Sequence, residues 1–290
     1  MGIEKPEIED LNIERKEDDL ARTKEMTKTI RPMNHFDAMT YVRDCKKENG
    51  VEPDVVTLTT IINKPGVGVA EAQDMVRELK EYGVEPNVVT MTTIINKQGV
   101  GVVDAREIVR EFKEYGVEPN VVTLTSLYKK IVQERGKISK QEIERIDEIA
   151  ETCTKTNDTD SAFLIMRALA HLTAGETHDN AKIIMELMRK VDFSNPQFGE
   201  RGMEMVVTMI YTFLPSNHTL RQVASQLLMS EGKMHILQRA YDRVDGFNDV
   251  LERWSGEIAA ESTIRYGGGN VFDDTGYQPI NRQAGKEFRS

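Results

Sequence analysis

The sequence predicts an all-α protein: an α-solenoid of helix–turn–helix units, then a second helical array and a disordered C-terminal tail. Three observations predict it. Residues 51–83, VEPDVVTLTTIINKPGVGVAEAQDMVRELKEYG, return as residues 84–116, VEPNVVTMTTIINKQGVGVVDAREIVREFKEYG, with 24 of 33 positions identical. Apolar residues recur at helical spacing through both halves of this unit. Asp or Asn stands before each first half and Gly after each second half, where helix caps belong. A pair of short helices cannot bury its apolar face alone, so such units stack on their neighbours.

In chain order, residues 1–11 are expected to be disordered and 12–30 are helix-permissive. Residues 36–54, FDAMTYVRDCKKENGVEPD, match 70–87 with one residue inserted before Gly50, so the array extends upstream of its first full copy. The first half of a unit, VVTLTTIINK, has the β-branched richness of a strand. Its periodicity favours a helix, with Val55, Leu58, Ile61 and Ile62 on one face and Val56, Thr59, Thr60 and Asn63 on the other. Asp54, Asn87 and Asn120 are the expected N-caps, each just after a proline. In the second half, Ala72, Met75, Val76 and Leu79 form an apolar stripe that closes at Gly83. Ala105, Ile108, Val109 and Phe112 repeat it before Gly116. The intervening PGVG and QGVG lack the third glycine and the Lys-Ser/Thr of a phosphate loop and read as turns. A third copy opens at Val117 and degenerates after Ser126, and the array is assigned to residues 12–157.

Residues 158–254 continue as helices, with starts marked by Asp160-Ser161, Asp179-Asn180, Asn195-Pro196 and Thr219. Parts of this region loosely resemble armadillo-type repeats. Met185, Met188, Met203, Met205, Met209 and Met229 read as core filling in preference to a groove for a partner helix. Residues 255–290, with Gly267-Gly268-Gly269 and no apolar periodicity, read as the disordered tail.

The residues that open the first helix (Val55-Val56-Thr57), Asn63, Ala72, and the closing Tyr82-Gly83-Val84-Glu85-Pro86-Asn87 resemble the pentatricopeptide repeat family. The resemblance is specific over 55–126 and weaker over 22–54; the units are slightly shorter than the family's usual ones. It implies paired antiparallel helices, stacked to bind single-stranded RNA. It also implies that the fifth and last residues of a unit choose one base. Those pairs are Thr59 with Asn87 and Thr92 with Asn120, and in the family Thr with Asn implies adenine. Val56, Val89 and Val122 then stand where the family wedges a side chain between bases.

Stacking in register places Thr59, Thr92 and Thr125 in one ladder, Asn63, Asn96 and Lys129 in a second, and Lys64, Lys97 and Lys130 in a third. Short hydrogen-bonding side chains edged by lysine suit single-stranded RNA, because splayed bases can be read while cations meet phosphates. The same face also suits a scaffold for a protein partner. Against RNA stands the charge, −10 overall, with seven basic against twelve acidic residues over 51–120. The acidic excess comes mainly from second helices, at Glu71, Asp74, Glu78 and Glu81.

Other functions lack residues to carry them. Five histidines are scattered without H-x-x-x-H spacing, and Cys45 and Cys153 give neither a disulfide framework nor a metal-ligand spacing. A non-enzyme without metal, cofactor or small-molecule substrate is expected. No apolar run approaches the ~18 residues of a membrane span, and the N-terminal stretch resembles neither a signal nor a transit peptide. The expected compartment is the cytosol, with an organelle as the alternative.

Overall fold

What turns VVTLTTII into a helix is the side chain in front of it. In the computed structural model, Asp54 Oδ1 accepts from the backbone N–H of Thr57 at 2.7 Å and from its hydroxyl at 2.8 Å, starting the helix Val55–Ile62. Asn87 and Asn120 do the same for Val88–Ile95 and Val121–Gln133, accepting from Thr90 N–H at 3.1 Å and Thr123 N–H at 3.1 Å. Inside these helices, Thr59, Thr92 and Thr125 donate their hydroxyls to the carbonyls of Val55, Val88 and Val121, four residues back. That bond lets a β-branched polar residue sit inside a helix without an unsatisfied hydroxyl.

The structure describes residues 6–134, 137–153, 160–174, 180–190, 199–214, 216–244, 253–254 and 256. All secondary structure among them is helical. Residues 1–86 form one compact unit and 87–266 a second. The first contains α1 (Pro6–Ile30), α2 (His35–Asn49), α3 (Val55–Ile62) and α4 (Val69–Glu81). Helix α1 begins at Pro6, inside the segment expected to be disordered through residue 11. It packs against α2 and α3. Thr27 and Thr57 hydroxyls meet at 2.8 Å, and Arg43 of α2 forks onto Glu78 of α4 at 2.6 and 2.7 Å. Helix α4 buries Ala72, Met75, Val76 and Leu79, the stripe read from the sequence. It ends with Gly83 at φ +85°. The Gly83 N–H donates to Lys80 O and the Val84 N–H to Leu79 O, which satisfies the last free carbonyls.

The second unit holds α5 (Val88–Ile95), α6 (Val102–Glu114), α7 (Val121–Gln133), α8 (Lys140–Cys153), α9 (Ser161–Thr173), α10 (Asn180–Lys190), α11 (Gly199–Phe213), α12 (His218–Ser230) and α13 (His235–Val244). Helices α5, α6 and α7 pack on one another as successive repeat helices, and α7 packs most extensively on α9. The compact units divide at Pro86/Asn87, and the expected 157/158 boundary lies outside the described residues. Asp160 caps α9 as expected. Asn217 caps α12, whereas the sequence pointed to Thr219. Met203, Met205 and Met209 are buried core, while Met229 is exposed. The expected tail, residues 255–290, lies outside the described residues apart from Gly256.

Asp147 of α8 ties this region to the last repeat helix. Its carboxylate accepts from Tyr128 Oη at 2.6 Å and Arg167 Nε at 3.1 Å, and contacts His171 Nε2 at 2.9 Å. Burial alone would raise the Asp147 carboxyl. The bonds from His171 and Tyr128 and the Arg167 charge outweigh burial and hold it below the ordinary aspartate value.

A depressed folded-state pKa means the unfolded chain takes up that proton first. The resulting stability is present above about pH 4 and is lost as pH falls further, through the folded pKa. Asp147→Asn should lower the unfolding free energy at pH 7 by about 1–3 kcal/mol. In urea melts across pH, the gap to wild type should narrow below about pH 4; a gap that stays constant would remove the ionised carboxylate from this role.

Candidate nucleic-acid interface

The expected polar stripe divides into residues that meet solvent and residues that hold the helices together. Val56, Asn63 and Asn96 are exposed; Asn87, Val89, Thr92, Lys97, Asn120 and Lys129 are half-buried. Thr59 is buried at 9% exposure, Val122 at 7%, and Thr125 is fully buried. The stripe expected at Thr59, Thr92 and Thr125 is thus interrupted at Thr125, on a helix that packs extensively against α9. Thr60 and Thr93, one residue on, are half-buried.

The lysine ladder has another role. Lys64 is buried and its Nζ donates to the carbonyls of Ile30 at 2.7 Å, Arg31 at 3.0 Å and Met33 at 2.8 Å. These carbonyls lie at the last residue of α1 and just past it, so the ammonium sits at the negative end of a neighbouring helix. Lys130, also buried, donates to Lys97 O, just past the end of α5, at 3.2 Å. Burial lowers both pKa values, with Lys129 adding to the effect at Lys130, and burial likewise lowers that of Lys129. Lys64 and Lys130, expected to meet phosphates, are thus buried and donate to backbone carbonyls, three for Lys64 and one for Lys130.

Thr92 and Asn120, the expected base-reading pair that lies within one compact unit, are brought together through a third residue. Thr123 Oγ1 lies 2.8 Å from Thr92 Oγ1 and 3.2 Å from Asn120 Oδ1. When Thr123 gives its one hydroxyl proton to Asn120 Oδ1, the one Thr92 proton is shared between Val88 O and Thr123 Oγ1, each at 2.8 Å, and Thr92 offers a lone pair away from them. Asn120 Oδ1 is held by Thr123, which leaves the Nδ2 amide as the outward atom, without a hydrogen-bond partner among the described residues. An acceptor and a donor are presented side by side. Thr59 and Asn87 fall in separately described units.

Sequence reasoning passed over Thr123. Its signal was legible: Thr57, Thr90 and Thr123 each stand three residues after the cap, the spacing of a reciprocal capping box. Glu134 was also missed. Its carboxylate accepts from Val102 N–H at 2.9 Å, seating a negative charge at the start of α6. A Cβ at Gly101 would come within 2.7 Å of that carboxylate, the far end of a side chain that can shift.

Among the described residues no group of acidic, His or Cys side chains is arranged to hold a metal ion, and no helix is long and apolar enough to cross a membrane. Residues 41–100 and 74–134 match the family model described as the pentatricopeptide repeat domain. No curated protein and no solved structure matches the chain.

Lys64→Met keeps the apolar stem and removes the ammonium, leaving three carbonyls without their donor. Chemical denaturation should show a loss of about 1–3 kcal/mol. Unchanged stability would return this lysine to the surface.

Proposed function

We propose that this chain, whose residues 41–134 are pentatricopeptide repeats, is a non-catalytic binding module for single-stranded RNA that prefers adenine at the base facing Thr92 and Asn120. Repeats of this family typically bind RNA, and the observation that carries the finer reading is the polarity of this pair. Adenine's Watson–Crick edge offers an amino donor beside a ring-nitrogen acceptor, which complements Thr92 Oγ1 as acceptor and Asn120 Nδ2 as donor. Val56 and Val89, exposed and half-buried at the second position of their helices, supply apolar surface against base faces. In the second unit Asn96 adds an exposed polar group at its helix end, with Lys97 and Lys129 half-buried on the same face. With Lys64 and Lys130 committed to carbonyls, affinity rests on the bases more than on phosphates. The cytosol is the proposed compartment.

A protein scaffold is the second reading, favoured by the same burial of Lys64 and Lys130, which removes cations from an already acidic array. Replacing one atom separates the two. In Asn120→Asp, one oxygen keeps the cap and the other replaces the outward amide, so an acceptor stands where a donor stood. Guanine offers two donors on that edge, and preference at this nucleotide should move from A toward G. A base contact is worth on the order of 1–3 kcal/mol, so the shift should be visible in fluorescence-anisotropy titrations of A- and G-substituted oligonucleotides. If both folded proteins bind both oligonucleotides alike, base reading fails and the scaffold reading takes its place.

A further inference from the structure

Thr123 belongs to neither expected base-reading position, yet it is the atom-level link between them. Its side chain is fully buried. Its Oγ1 touches Thr92 Oγ1 at 2.8 Å on one side and Asn120 Oδ1 at 3.2 Å on the other, while its N–H holds the same Oδ1 at 3.1 Å. The arrangement recurs elsewhere in the chain. Thr57 holds Asp54 Oδ1 through its N–H and hydroxyl and meets the Thr27 hydroxyl at 2.8 Å. Thr90 holds Asn87 Oδ1 with N–H and hydroxyl at 3.1 and 3.3 Å.

We propose that Thr123 is a specificity-determining positioning residue: its buried hydroxyl couples the Thr92 hydroxyl to the Asn120 amide, so that the two side chains read one base as a fixed donor–acceptor pair. This rests on the RNA-binding reading above and deepens it. A helix N–H alone anchors the Asn120 oxygen at one point and leaves the amide plane free to swing about that bond. The hydroxyl proton supplies a second anchor on the same oxygen, and the hydroxyl lone pair accepts from Thr92, whose one proton is shared with Val88 O. It also limits rotation of Thr92, whose oxygen must face the amino group of the same base. Thr123 needs no contact with the ligand, because its effect passes through the two side chains it holds.

Thr123→Val keeps the shape and removes the hydroxyl, whereas Thr123→Ser keeps the hydroxyl. Two measurements decide. In anisotropy titrations, the A-over-G ratio at the nucleotide facing this pair should fall by about three- to tenfold in Thr123→Val, the worth of one neutral hydrogen bond, and Thr123→Ser should restore it. In the RNA-free protein, ¹⁵N relaxation of the Asn120 side-chain amide should show a freer group in Thr123→Val and a wild-type group in Thr123→Ser. A ratio unchanged in a folded Thr123→Val protein, with an amide as ordered as wild type, overturns the proposal and leaves Thr123 a stabiliser only. If the wild type itself shows no A-over-G preference, base reading has failed. The amide measurement then still decides whether Thr123 holds Asn120, and specificity through Thr123 is overturned with the reading it serves.

Discussion

The side-chain cap in front of each first helix is the interaction on which the rest depends. An eight-residue helix rich in Val, Thr and Ile has poor intrinsic helicity and cannot pay its nucleation cost alone. Asp54, Asn87 and Asn120 satisfy N–H groups that would otherwise be lost, and the threonine three residues on adds its hydroxyl to the same oxygen. The bond that starts the helix also fixes which atom of the cap faces outward. Helix initiation and the orientation of the cap side chain therefore come from one contact.

Electrostatics at the other end of the helices follows a matching logic. A helix's last carbonyls attract a cation, and the repeat supplies one from the neighbouring unit: Lys64 caps α1 and Lys130 reaches the end of α5. Within each unit this fixes the register of one helix on the next, since a one-residue slip would leave a buried ammonium without acceptors. The same commitment leaves the polar stripe with little free positive charge. On the proposed RNA-binding reading, recognition draws on hydrogen bonding and stacking with bases, which are sequence-dependent, more than on counterion release, which is not.

The fold was legible in the sequence because its signals are local. Period, caps and C-terminal glycines each act within a few residues, and Gly83 and Gly116 take the left-handed conformation that their position after a helix requires. The pairing of Thr92 with Asn120 was legible through family resemblance, whereas Thr123, which joins them, was visible only as a recurring Thr at the third helical position. What the sequence hid depends on distant partners. A lysine on a polar helix face looks solvated until the carbonyls of Ile30, Arg31 and Met33 are seen beneath it. Thr125 looks like the next rung of a ladder until it is found fully buried on a helix packed against α9. The division at Pro86/Asn87 carries no compositional mark, since it falls between two nearly identical copies of the repeat.

The central claim is that the first-helix face of residues 87–130 meets RNA bases. Hydrogen–deuterium exchange of the whole protein with and without a single-stranded oligoadenylate tests it most directly. The account predicts slowed exchange in peptides covering Asn87–Lys97 and Asn120–Lys130, with α6 unchanged. Protection confined to α6, or none at concentrations that saturate binding, would contradict it.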